Sequence, residues 1–184
     1  YLRKNLLTYL RKIRGVHCEE RQIVITCGLQ QSLDYLSKLI ACDQQTFLME
    51  EPGFDRASAV FKMNKVKIKT VPIDENGLIV ADLPYNNDIR AIYTTPSHQF
   101  PTGATLTIDR RYKLLEWAER NDSFILEDDF DSELRYYSKP IPALQSIDEN
   151  NRVVYLGTFS KTLSPSIRMG YMILPPHLCQ RYLE

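Results

Sequence analysis

Charge of neither sign predominates: lysine plus arginine total 23 and aspartate plus glutamate total 23. A neutral chain has no long-range field to draw nucleic acid or a membrane surface to this segment. Cysteine is sparse. The four residues, Cys18, Cys27, Cys42 and Cys179, sit at unrelated spacings with no Cys-x-x-Cys. That argues against a disulfide framework or a zinc site and makes a reducing cytoplasm the expected setting. No apolar run approaches membrane-spanning length, no signal peptide opens the sequence, and neither internal repeats nor low-complexity segments occur. What is present is ordinary for a globular protein: 184 residues, 43% hydrophobic and 25% charged. That suffices for one substantial domain with a core, and two full domains are not expected. Helical periodicity (Leu2, Leu6, Tyr9, Ile13) already runs at the first residues, and the sequence stops at Glu184 inside another helical pattern after Pro175-Pro176. The expectation is a piece of a longer protein.

Short β-rich apolar runs alternate with helical patterns. Strands are expected at 23–26, 46–50, 66–71, 89–94, 124–127, 153–157 and 170–174. Between them, Leu29, Leu33, Leu36 and Ile40 form one apolar stripe, and Ile108, Tyr112, Leu115 and Ala118 another, with Thr107 as N-cap and Asp109 in the first turn. A shorter helix is expected from about Asp55 to Met63. Several strands are apolar on both faces, as in a sheet covered on each side. The fold class is therefore α/β, a three-layer α/β/α sandwich around a mostly parallel sheet of about seven strands. Such sheets bind ligands beyond the carboxyl ends of their strands. Polar segments converge there: Gly28, Glu50–Phe54, Thr94–Gly103, Glu127–Asp131 and Thr158–Lys161.

Lys161 follows a buried strand. A lysine at a strand mouth can be desolvated, which lowers its proton affinity and frees its amine to attack an aldehyde. Thr158, Ser160 and Arg168 together suit a phosphate. A solvated loop lysine is the bland alternative. The string Gly157-Thr-Phe-Ser-Lys-Thr-Leu-Ser-Pro-Ser-Ile-Arg-Met-Gly-Tyr171, however, closely resembles the pyridoxal-phosphate (PLP) lysine signature of fold-type I aminotransferases.

That resemblance implies PLP as cofactor, held as a Schiff base on Lys161, and roles for other segments. Gly28, Leu29 and Gln30 open a helix where free N–H groups and the dipole favour a phosphate, although a simple glycine turn would read the same way. Phe54, in Glu50-Glu-Pro-Gly-Phe54, corresponds to the aromatic residue laid over the pyridine ring, a core phenylalanine being the alternative. Asp128 is the carboxylate under the pyridine nitrogen, which it keeps protonated so that the ring serves as an electron sink. A capping or solvated acidic loop, or a divalent-metal site, are the competing readings of the run 127–131. Metal is the weaker, because no phosphate-cradling Gly-x-x-x-x-Gly-Lys-Ser/Thr partner exists. In Thr95-Pro-Ser-His98-Gln99-Phe-Pro101-Thr-Gly103, Phe100 stands before Pro101 where many relatives have asparagine, so His98 or Gln99 is left to reach the cofactor's phenolic oxygen.

Four segments narrow the resemblance: Leu10-Arg-Lys-Ile-Arg-Gly-Val16, 95–103, Glu127-Asp-Asp-Phe-Asp-Ser-Glu-Leu-Arg-Tyr136 and Gly157-Thr-Phe-Ser-Lys161. Together they are similar to the aminotransferase-like domain of MocR/GabR-type bacterial transcription regulators of the GntR superfamily. The resemblance implies a winged helix-turn-helix domain before this one, which would make the DNA contact, and a C-terminal small domain after it. It also implies an amino-acid or amine effector, and a head-to-tail homodimer. Arg56 matches an arginine near the effector. Phe130 departs from the pattern, standing where these relatives commonly place a tyrosine. A PLP-dependent aminotransferase moving an amino group between an amino acid and a 2-oxo acid is the alternative, and a non-PLP α/β binding domain a third reading.

Overall fold

Among the described residues eight short strands carry the fold: β1 (Ile23–Thr26), β2 (Thr46–Glu51), β3 (Lys67–Asp74), β4 (Gly77–Leu78), β5 (Ile89–Thr94), β6 (Phe124–Asp128), β7 (Val153–Thr158) and β8 (Gly170–Ile173). The α-helices that cover them, among the same residues, are α1 (Leu2–Arg14), α2 (Leu29–Ile40), α3 (Asp55–Met63), α4 (Ile108–Arg120) and α5 (Pro176–Leu183). The computed structural model describes residues 1–41, 45–131, 141–160 and 164–183. Lys161, Cys42 and the segment 132–136 of the acidic motif lie outside the described residues.

The strands join in one sheet of order β1-β8-β7-β6-β5-β2-β3-β4. Pairs β3–β2, β2–β5, β5–β6 and β6–β7 are parallel, whereas β8 runs antiparallel to both β1 and β7. Thr26, Gly170 and Thr158 align across β1, β8 and β7. Because of this reversal, the residues just before β8 reach the same edge as those just after its neighbours. The eighth strand, β4, is a two-residue return that pairs with Ile73 and Asp74 through a tight turn, too short to leave an alternating pattern. The sequence expectation of about seven strands missed it. β3 also runs past Pro72 to Asp74.

Apolar side chains alternate between two cores, as a pleat of period two requires. Phe47, Met49, Ala91, Tyr93, Phe124 and Leu126 pack under α2, α3 and α5. Leu48, Ile92 and Ile125 pack on the other face, with Leu114, Trp117 and Ala118 of α4, while Leu6 and Leu10 of α1 close the β1–β8–β7 end with Tyr155 and Tyr171. At Gly157 an added Cβ would sit 2.2 Å from the Tyr171 ring, so only glycine lets that cross-strand ring lie flat over β7.

Two helices turn a different face inward from the one the apolar residues suggested. In α4 the buried positions are Arg111, Leu114, Trp117 and Ala118, and Ile108 and Tyr112 are 50% and 57% exposed. In α1 they are Leu6, Leu10 and Arg14, and Leu2 and Ile13 lie outside. In each case an arginine that hydrogen-bonds inside the protein turns the helix. Thr107 makes no side-chain cap, although Asp109 does sit in the first turn of α4. Among the described residues no helix is long and apolar enough to cross a membrane.

Candidate functional site

A cavity of about 320 Å³ opens at the carboxyl edge of the sheet. One end is built by the turn from β1 into α2. Gly28 adopts φ 86°, a left-handed value natural to glycine, and α2 starts immediately after it with no side-chain cap and no acidic residue in its first turn. The N-terminal amides of Leu29 and Gln30 thus face the cavity with the positive end of the helix dipole behind them. Thr26 braces the turn, its hydroxyl 2.8 Å from that of Ser32.

Opposite this turn, Thr158 and Ser160 leave the end of β7 with their hydroxyls 3.1 Å apart. Arg168 holds a left-handed conformation of its own, φ 49°. Its Nη2 lies 3.5 Å from the point a Gly28 Cβ would occupy, an ordinary van der Waals distance, so it is the left-handed φ at 28 that calls for glycine while the guanidinium packs against the turn. Two hydroxyls, a guanidinium and an uncapped helix start converge here, a donor set suited to a phosphate dianion.

The other end holds Asp128, the last residue of β6. It is 3% exposed. Its Oδ2 accepts a hydrogen bond from the Tyr93 hydroxyl, and its Oδ1 is buried with no partner among the described residues. Burial first, then the charges of Asp129, Asp131 and Glu50, push its proton affinity up to about 7 against the lowering effect of the Tyr93 hydrogen bond. A buried carboxylate oxygen without a partner is costly unless a ligand supplies the missing donor.

Aromatic rings wall the space between. Phe54 meets Phe100 edge-on at 5.5 Å, and Phe100 meets Phe130 at 6.3 Å. Arg56, on the exposed side of α3, completes the rim.

The cavity thus gathers nine residues singled out in the sequence: Gly28, Leu29, Gln30, Phe54, Arg56, Asp128, Thr158, Ser160 and Arg168. His98 and Gln99 are not among its lining residues. Gln99 is turned away into the protein, its amide donating to Pro52 O at 2.8 Å, Phe100 O at 2.6 Å and Glu50 at 3.2 Å. His98 is exposed, stacks on the outer side of Phe130 and pairs with Asp131 at 2.6 Å. Tyr93 and Thr95 also line the cavity, and the sequence singles out neither. Tyr93 lies within the strand expected at 89–94, and only its place near the carboxyl end of β5 marks its hydroxyl as available.

These residues fit PLP on the structure's own terms. The uncapped start of α2 with Thr158, Ser160 and Arg168 suits a phosphate, the orphaned Asp128 oxygen suits an N–H donor, and a flat ring fits the space beside Phe54. The profile of the family described as "Aminotransferase class I and II" matches residues 1–183. The uncharacterized HTH-type transcriptional regulator YdeL of Bacillus subtilis is 42% identical over 98% of this chain and 38% of its own length. The probable rhizopine catabolism regulatory protein MocR of Rhizobium meliloti is 37% identical over 98% of this chain and 36% of its own. The chain therefore spans less than half the length of these relatives. Among solved structures, the kynurenine aminotransferase of Pyrococcus horikoshii, in complex with PMP, superposes with a TM-score of 0.90 at 32% identity, covering 98% of this chain and 46% of that one. The chain belongs to the aminotransferase class I and II family.

Proposed function

We propose that this chain is a PLP-binding, aminotransferase-like domain that senses an amino-acid or amine effector within a bacterial transcription regulator. The observation that carries the cofactor assignment is the buried Asp128 oxygen with no partner among the described residues, set across one cavity from the phosphate-type donors of Gly28, Thr158, Ser160 and Arg168. Asp128 would hold the proton of the ring nitrogen, and the α2 amides with Arg168 and the two hydroxyls would hold the phosphate. Phe54 would cover the ring. Lys161, next in sequence to Ser160, is the proposed covalent anchor and proton carrier, and Arg56 at the rim is the proposed contact for the effector. When bound, PLP supplies an electron sink for a carbanion.

The regulator assignment is supported by relatives such as YdeL and MocR, whose names describe transcriptional or regulatory proteins. In this reading DNA is contacted by a winged helix-turn-helix domain outside the chain, and the working unit is a cytoplasmic homodimer. An aminotransferase is the second reading, favoured by the superposition on the Pyrococcus enzyme.

The full-length protein should be yellow with PLP and yield a borohydride-fixed adduct, and Lys161→Ala should abolish that adduct. An adduct persisting in Lys161→Ala overturns the anchor. A steady-state transamination rate would decide for the enzyme. An effector-dependent spectral change without turnover would decide for the sensor.

A further inference from the structure

Three successive carboxylates, Glu127, Asp128 and Asp129, are all buried at the end of β6. Strand alternation sends Asp128 toward the cavity and the other two to the opposite face, beneath α1 and α4. Each of those two meets an arginine. Glu127 lies 4.0 Å from Arg111 of α4 and accepts the backbone N–H groups of Leu144 and Gln145 at 2.6 and 2.9 Å. Asp129 is held by Arg14 at the end of α1, Nε donating to Oδ2 at 2.6 Å and Nη2 to Oδ1 at 3.2 Å, with the Tyr155 hydroxyl as a third donor. Arg14 also donates to Ser97 Oγ at 2.9 Å and Ile141 O at 3.2 Å. It is 2% exposed and lines no part of the cavity.

The other charges that bear on Asp128 are also engaged. Glu50 of β2 accepts from Thr94, Thr95 and Gln99, and Asp131 pairs with His98. Among the described residues Asp128 has no cation, only the Tyr93 hydroxyl. We infer that Arg14 is a positioning residue for the cofactor site: by cancelling the charge of Asp129 across the strand, it leaves Asp128 as the carboxylate free to ionise against a ring N–H. Deepening the PLP reading, on which it rests, this gives a role to the Arg14-Gly15 segment that the cavity itself does not use.

Without Arg14, Asp128 and Asp129 become two adjacent buried carboxylates, and such a pair holds on to one proton. The test uses the full chain and two probes, PLP and its analogue with CH in place of the ring nitrogen, and reads the ratio of their dissociation constants. Wild type should favour PLP. In Arg14→Gln the preference should fall about tenfold, the equivalent of one unit of proton affinity. In the double variant Arg14→Gln/Asp129→Asn, which removes both charges, it should return to within about twofold of wild type. Equal losses for both probes in the single variant would mean a merely structural role and overturn the inference. So would a double variant whose ratio departs from wild type by more than that, and this arm decides alone if the single variant does not fold. A wild-type ratio of one would be a different failure, removing the Asp128 assignment itself.

Discussion

At the scale of single residues, Asp128 carries a cost that the cofactor-free protein bears and a bound ligand would relieve. Its proton affinity in the folded chain, about 7, lies above the value of roughly 4 for an unfolded carboxyl. The folded state therefore binds the extra proton between these values. Asp128's favourable share is fully present below about pH 4 and is lost as the pH rises through 7, beyond which its buried charge opposes folding. Asp128→Asn removes the titration with little change of shape. In denaturant unfolding of the cofactor-free chain, the variant should be more stable than wild type at pH 8, with the gap narrowing or reversing at pH 5. A variant equally destabilised at both pH values would refute this. The acidic run is visible in the sequence, and family resemblance picks Asp128 from it. The reason Asp128 differs from its neighbours is not visible there, because it depends on Arg14 and Arg111 arriving from two helices that no local pattern links to β6.

At the scale of elements, the helices show where pattern reading succeeds and fails. In α2, Leu33, Leu36 and Ile40 are buried as the periodicity requires, with Leu29 partly buried beside them. In α4 the same reasoning chooses Ile108 and Tyr112, which face outward, because it counts Arg111 as a surface residue. Arg111 is instead fully buried, donating to Leu106 O, Pro142 O and Pro96 O at 3.0, 3.0 and 2.8 Å. A guanidinium with that many internal acceptors outweighs two apolar side chains in setting which face of the helix turns inward. Leu114→Ala should therefore cost about 2–5 kcal/mol, whereas Tyr112→Ser should stay within about 0.5 kcal/mol, both by chemical denaturation. Comparable losses would place the apolar stripe inward after all. In the loop at 95–103 a histidine and a glutamine in a motif invite a ligand role, and what the motif does not reveal is that the Gln99 amide is engaged by Glu50, Pro52 and Phe100.

At the scale of the whole molecule, the alternation of strands and helices reveals three layers and the edge where ligands collect, but strand order is a property of long-range pairing that no local pattern encodes. The reversed β8 is the telling case. Arg168 is assignable from its motif, yet it reaches the site because β8 enters the sheet backwards, so that its first residue, Gly170, lies level with Thr26 and Thr158. The cavity consequently draws on the turn after β1, near the start of the sequence, and on the segment before β8, near its end. A ligand held by both ties the sheet together rather than stiffening one loop. With PLP at a hundred times its dissociation constant, linkage stabilises the folded state by about 2.7 kcal/mol, or roughly 5–10 °C in a chain of this size. The rise should appear as a shift of one cooperative transition. Hydrogen exchange should slow together at 27–30 and 158–160. Arg168→Ala should remove most of the gain for PLP while leaving the response to phosphate-free pyridoxal nearly unchanged. Protection confined to one of the two segments, or equal losses for both ligands, would mean that the two ends of the chain do not share a phosphate.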